Sequence, residues 1–204
     1  MFTDGYEPQL HQQAASISLA RFLERGFTLR LTVGAIVDGE MHGEGERYEY
    51  VIPGAFAGIQ VNKRFIDEDG AIPFLLGTFS FSFSWGRNRQ TEPPRLMDSS
   101  GLGLDPQLAG NDAPLTDIVS LDFRVGAVVG YTFWEVWSPY LAVRAFGGPI
   151  FWEHDGEQVR GTDRYHAQAA IGSSIFFGDS GLALFVDWSP FLEKSFSAGA
   201  GWAF

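Results

Sequence analysis

From Thr78 to Trp85 the chain alternates without a break. Phe79, Phe81, Phe83 and Trp85 fall on one parity, and Thr78, Ser80, Ser82 and Ser84 on the other. A β-strand points successive side chains to opposite faces, so this segment has one face of large aromatics and one of hydroxyls. The same period-two pattern, bounded by turn residues, predicts nine strands along the chain. They lie at about 12–23, 26–38, 48–65, 72–86, 117–134, 139–152, 163–177, 181–188 and 195–204. Most exceed the five or six residues usual in globular sheets, and several are long enough to cross a bilayer at a tilt. The connections alternate in kind. "LERG", "DEDG", "EVWS" and "GDS" are tight, whereas "GEMHGEGER", the 87–116 segment, "EHDGEQVRG" and the shorter "SPFLEK" form a second, longer set. Short and long connections therefore segregate to opposite ends of the strands.

The two faces differ in size as well as polarity. In 117–134 the odd positions run Leu121, Phe123, Val125, Ala127, Val129, while the even ones are Asp122, Arg124, Gly126, Val128, Gly130. In 26–38 Phe27, Leu29, Leu31 and Val33 stand opposite Thr28, Arg30, Thr32 and Gly34. A water-facing sheet carries long solvated side chains; a face of Gly, Ser, Ala and Thr with isolated opposite charges suits the inside of a narrow closed barrel. The opposing arrangement, a soluble sandwich or lipocalin-like barrel, turns the aromatic faces inward instead. Tryptophan placement speaks for lipid. Trp85, Trp134, Trp137, Trp152, Trp188 and Trp202 all sit near strand ends or in adjoining turns, as the interfacial girdles of a membrane barrel require.

Composition narrows the field further. Lys63 and Lys194 are the only lysines, against twelve arginines, which is few for a wetted β-surface. The formal charge of −11 excludes a phosphate-neutralising face, so no nucleic-acid partner is expected. With no cysteine, neither a disulfide framework nor a thiolate metal site is available. No run approaches the twenty or so apolar residues of a membrane-spanning helix.

The closing segment "KSFSAGAGWAF" places Phe196, Ala198, Ala200, Trp202 and Phe204 on one face. It resembles the C-terminal strand of Gram-negative outer-membrane β-barrels, the superfamily of the small OmpA-, OmpX- and OmpW-type barrels, and the resemblance of pattern extends over nearly all of the chain. It implies an all-β fold, a transmembrane antiparallel up-and-down β-barrel of eight to ten strands, in one domain over 1–204 with a long extracellular loop at about 87–116. It implies a bacterial outer-membrane location, outer-membrane lipids and lipopolysaccharide as surroundings, and the barrel-assembly machinery as a partner through the C-terminal strand. A monomer is expected. Family barrels keep both termini on the periplasmic side and an even strand number. Nine strands break that rule, so an upstream strand and the export signal are expected to be missing here; "MFTDGYEPQLHQQ" has neither the basic start nor the apolar core of a signal peptide.

Candidate chemistry lies inside and at the rims. Arg30, Arg124 and Arg144 face Asp38, Asp122 and Asp187 across the predicted lumen, with His166 nearby by parity. Side chains fill the interior of so small a ring, so these charges are expected to pair in a stabilising network. Trp85, Trp134, Trp152, Trp188, Trp202 and Phe204 are the expected membrane-interface aromatics. The four histidines His11, His42, His154 and His166 sit in no pattern resembling a catalytic site, and adjacent Glu153, His154 and Asp155 diverge too much to make one. No catalytic residue, metal site or cofactor is expected. The acidic "DGEMHGEGERYE" stretch is expected to solvate the outer rim, with divalent-cation bridging to lipopolysaccharide as its functional alternative. The expected role is non-enzymatic: membrane integrity, surface interaction or limited passage of small solutes. A narrow porin-like channel for small or hydrophobic molecules is the alternative, and a lipid-modifying enzyme the third.

Overall fold

A computed structural model describes residues 8–43, 46–92, 115–154 and 157–202. These form eleven strands: β1 (Gln9–Phe22), β2 (Phe27–Gly43), β3 (Glu46–Ile66), β4 (Phe74–Glu92), β5 (Leu115–Gly130), β6 (Trp137–Gly147), β7 (Pro149–His154), β8 (Glu157–Thr162), β9 (Ala167–Phe176), β10 (Leu182–Leu192) and β11 (Ser195–Trp202). Every pairing is antiparallel, in the order β1-β2-β3-β4-β5-β6-β9-β10-β11, and this path curls into a closed barrel-like sheet. Its two ends, β1 and β11, share no ladder among the described residues. Nine strands make up this path, and β7 and β8 lie off it.

The segregation of connections is present, but the longer set is mostly strand. Of "GEMHGEGER", residues 39–43 belong to β2 and 46–47 to β3, and residues 87–92 continue β4. The interior of the expected 87–116 loop, residues 93–114, lies outside the described residues. "EHDGEQVRG", expected as a loop, contributes to the β7–β8 hairpin. The expected strand at 139–152 breaks at Gly147–Gly148. A Cβ on Gly148 would sit 1.8 Å from the Leu121 carbonyl oxygen, so only glycine passes there. Beyond the break the chain leaves β9 and pairs with β8 while still following β5 at Ile118–Ser120. The connections after β2, β4, β7 and β10 gather at one end, the mouth; those after β1, β3, β5 and β9 gather at the turn end.

Through the middle of the wall the predicted parity holds. β4 and β5 pair without a register shift from Phe74–Gly130 to Arg89–Leu115. Phe81 and Phe123 stack outside at 4.8 Å, while Ser84 and Ser120 share a 2.7 Å hydrogen bond on the inner face. Outward side chains stay uncovered all round: Val33 is 61% exposed, Val125 57%, Val143 60% and Ile171 54%. A buried hydrophobic cluster sits at the mouth, where Met41, Tyr48, Ile118 and Trp152 pack together with Tyr50, Ile150 and Val159 around them, and Ile36, Phe74, Ala142, Phe146 and Ala170 are buried elsewhere along the inner face.

Candidate functional site

The lumen holds two charged centres joined by an amide. In the first, Arg144 of β6 reaches across β9 to Asp187 of β10, with Nη2 donating to Oδ2 at 2.7 Å and Nη1 to Oδ1 at 3.1 Å. Tyr140, four residues (two pleat repeats) down β6 on the same face, donates its hydroxyl to the same carboxylate at 3.1 Å. The intervening strand makes this crossing possible. A Cβ on Gly172 would lie 2.1 Å from the Tyr140 ring, so the glycine is the space the ring occupies. Asp187 is buried, and a paired, hydrogen-bonded carboxylate is the form in which a charge tolerates that position.

In the second centre Arg124 of β5 donates from Nε to Asp122 two residues away and lies 3.8 Å from Glu193 Oε1. Its guanidinium also stacks 5.1 Å over Phe146. Gln168 of β9 links the centres. Its Oε1 accepts from Arg144 at 3.4 Å, and its Nε2 donates to the Glu193 carbonyl at 3.2 Å and to Ser195 Oγ at 2.9 Å. Ser189 Oγ donates to the same Glu193 carbonyl, so the β10–β11 turn is held over the lumen by side chains from β9 and β10.

Above Arg124 lies a cavity of about 300 Å³ lined in part by Asp122, Arg124, Asp163 and Glu193. Asp122 Oδ1 and Glu193 Oε2 are buried and accept no hydrogen bond. Burial pushes the Asp163 carboxyl above its ordinary value, and the Asp122 charge pushes it the same way. Glu193, in the mouth-end turn, is also raised by burial, with Arg124 opposing. The Met41–Tyr48–Ile118–Trp152 cluster adjoins this cavity, to which Met41 and Ile118 contribute wall.

Four of the seven expected lumen charges are therefore brought into ion pairs: Asp122, Arg124, Arg144 and Asp187. His166 lies beside them, with Nδ1 3.2 Å from the Phe146 carbonyl. Arg30 is exposed and makes no ion pair among the described residues, and its neighbours in the ladder, Ala20 and Gln60, carry no charge. Asp38 is a correction. A bulge near Val37 switches the buried parity of β2 from even, at Ile36, to odd, at Met41, which leaves Asp38 exposed.

Trp152 is the second correction. It is 1% exposed, edge-on to Tyr48 at 5.0 Å inside the mouth, not in an outer girdle. Trp134, 81% exposed and stacked on Trp137 at 6.5 Å, and Trp202, 67% exposed, lie at the turn end, and Trp188 is exposed towards the mouth. Trp85 is half-buried under the Arg87 guanidinium, 5.4 Å away. Phe204 lies outside the described residues, as does Asp155 of the Glu153–Asp155 trio.

Gln168, Tyr140, Glu193, Asp163 and Ser195 were not expected at the site. Gln168 carried a signal, a longer polar side chain beside Ala170, Gly172 and Ser174 on one parity. Glu193 carried none, because its place depends on how the β10–β11 turn folds. Comparison with protein-family models, curated proteins and solved structures finds no match.

Proposed function

We propose that this chain is an integral β-barrel of a Gram-negative-type outer membrane with a non-enzymatic role, a wall element whose lumen is obstructed rather than open. The observation that carries the reading is the uncovered apolar band on the outside of the sheet, set against a polar interior. Soluble monomers rarely leave contiguous apolar patches larger than a few hundred Å² exposed, and lipid removes that cost. The band also has a suitable height. From Leu75 to Trp85, the outward positions of β4 span eleven residues, ten steps or about 33 Å of strand and, at a ~40° tilt, about 25 Å across a bilayer. Above Trp85 the outward positions become Arg87 and Asp117, paired at 2.9 Å, where headgroups and water begin.

Across the lumen, the Arg144–Asp187 and Arg124–Asp122 pairs and the mouth cluster stand in the way of free diffusion. This favours a part in envelope integrity or surface contact over bulk transport. Lipopolysaccharide and outer-membrane phospholipid are the proposed surroundings, and the alternating β11 is the proposed signal for the assembly machinery. The test is refolding. The protein is expected to fold only in detergent or lipid, and to migrate faster on cold SDS gels than after boiling. A monodisperse β-rich protein in plain buffer overturns the proposal.

A second reading, a narrow polar conduit, is favoured by the cavity of about 300 Å³ with its two unpartnered carboxylate oxygens. Planar-bilayer recording separates the two. Discrete cation-selective steps that vanish in an Asp122→Asn, Glu193→Gln variant favour the conduit; a silent bilayer favours the obstructed wall.

A further inference from the structure

The cavity of about 300 Å³ at the mouth has a filled lumen beneath it. Down β5 from the mouth, Arg124 stands opposite Phe146 in the ladder, and its guanidinium stacks over that ring. Two residues further, Gly126 lies opposite Arg144, which reaches over β9 to Asp187. At the turn end the Phe74 ring covers Gly130, where a Cβ would meet it at 2.5 Å. A large side chain thus occupies each of these levels, and the cavity lies above the column, among residues of the mouth.

Its walls are of two kinds. Met41 and Ile118, both buried, and Ile150 supply an apolar side. Asp122, Asp163 and Glu193 supply a carboxylate side, with Arg124 among them. The hydrogen-bonding capacity left over on that side is acceptor. Arg124 donates to Asp122, lies 3.8 Å from Glu193 Oε1 and stacks over Phe146. Arg164, also in the wall, stacks over the Tyr165 ring at 5.7 Å. Asp122 Oδ1 and Glu193 Oε2 are buried and have no donor among the described residues. A buried carboxylate oxygen without a donor is costly, and an N–H supplied by a ligand removes that cost. Burial also holds the Asp163 and Glu193 carboxyls above their ordinary values, an effect that Arg124 does not cancel.

We infer that this pocket binds a small organic cation, a primary ammonium carried on a compact apolar body such as a single aromatic ring. The ammonium brings three donors to the unpartnered oxygens of Asp122 and Glu193, and the ring lies against Met41, Ile118 and Ile150. Volume sets the size. About ten water molecules fill 300 Å³ in the liquid, so the pocket takes a ligand of about ten heavy atoms. A bare metal ion fits less well, because no group of three His, Cys, Asp or Glu side chains converges as a metal cage among the described residues. An anion meets three carboxylates, and an uncharged ring leaves both oxygens without a donor.

This inference rests on the obstructed-lumen reading, and the measurements tell the two apart. The full chain in phospholipid nanodiscs is titrated calorimetrically with benzylammonium chloride, benzyl alcohol and sodium benzoate. Benzylammonium is expected to bind saturably, and the other two at least ~10-fold more weakly, the worth of one charge-assisted hydrogen bond. Glu193→Gln is expected to weaken benzylammonium by a similar factor, whereas Asp117→Asn, an equal change of charge on the outer rim, leaves its binding unchanged. A second readout leaves Glu193 intact. The chain has no cysteine, and Ser120→Cys places a thiol in the pocket wall, whose alkylation by N-ethylmaleimide benzylammonium is expected to slow. No saturable binding with undiminished alkylation overturns the pocket and leaves the obstructed wall standing. Saturable binding that leaves alkylation of the Ser120→Cys variant unchanged places the ligand elsewhere and overturns it too. Equal binding of benzyl alcohol or benzoate, or of benzylammonium to the Glu193→Gln variant, overturns the assignment of a cation to the carboxylate side. Discrete conductance steps in a planar bilayer overturn the obstructed-lumen reading itself, whatever the titrations show.

Discussion

The middle of the wall and the mouth are built from the same strands with opposite insides. Along β5, outward Val125 and Phe123 are apolar and inward Arg124 and Asp122 are charged. Six residues nearer the mouth than Arg124, inward Ile118 is buried and apolar, while outward Asp117 pairs with Arg87. β4 makes the same exchange between Trp85 and Arg87. On β2 and β3 the mouth places Met41 and Tyr48 inside, and Glu40, Arg47 and Glu49 in an ion-pair cluster with contacts of 2.9 and 3.1 Å. Hydrophobic residues follow the medium rather than the barrel. They face lipid where the proposed bilayer surrounds the wall, and face inward where water does.

The largest expected effect is at the mouth. Trp152→Ala removes the best-buried aromatic of that core, and losses of this kind cost about 3–5 kcal/mol. Hydrogen exchange should show lost protection in β7 and β8, with the β4–β5 ladder unchanged. Equal protection of β7 and β8 in the variant and the unsubstituted protein breaks the comparison, because Trp152 is then no core residue. Next comes the wall. Phe81→Arg places a charge in the middle of the apolar band, with an expected cost of roughly 2–4 kcal/mol in detergent-to-lipid refolding titrations. Ser82→Arg, on the inner face beside Asp122 in the ladder, should cost less. If the two substitutions cost the same, the outer face is not in lipid.

The smallest effect is that of pH, and it should be confined to the mouth. Asp163 and Glu193 both have raised carboxyl values in the folded protein, so the fold binds protons more tightly than the unfolded chain. The resulting stabilisation is full below the ordinary carboxylate range and is lost as pH rises through the raised values. Lowering the pH from 7 towards about 4 should therefore slow exchange around residues 163 and 193, since their ordinary values lie near 4. Asp163→Asn, Glu193→Gln should remove that response. A response that persists in the double variant assigns it to other groups.

Much of this was legible in the chain. The strict alternation from Thr78 to Trp85, and the small residues opposite large ones in β5, state a two-faced strand without any knowledge of its neighbours. Arg144 and Asp187 were legible as members of one set of inward charges, but not as each other's partners, because the alternation gives the face and not the register. Trp152 was misplaced because an aromatic near a strand end looks the same whether it meets a headgroup or a hydrophobic mouth; the fold of β7–β8 makes the difference. Asp38 was misplaced because counting by twos fails at a bulge, and a bulge is one extra residue with no obligatory sequence mark.

What the sequence by itself determined is local and periodic: strand positions, the two faces, the tight turns and the loop asymmetry. These follow from the two-residue repeat of a β-strand, which needs no partner to be read. What only the tertiary structure decided is whatever depends on which strands meet and at what height. That includes the amide of Gln168 tying Arg144 to the β10–β11 turn, the turn that brings Glu193 over Arg124, the burial of Trp152 and the absence, among the described residues, of a ladder between β1 and β11. Register and closure arise from contacts between residues far apart in the chain, and a repeat of two is identical at every register that preserves parity.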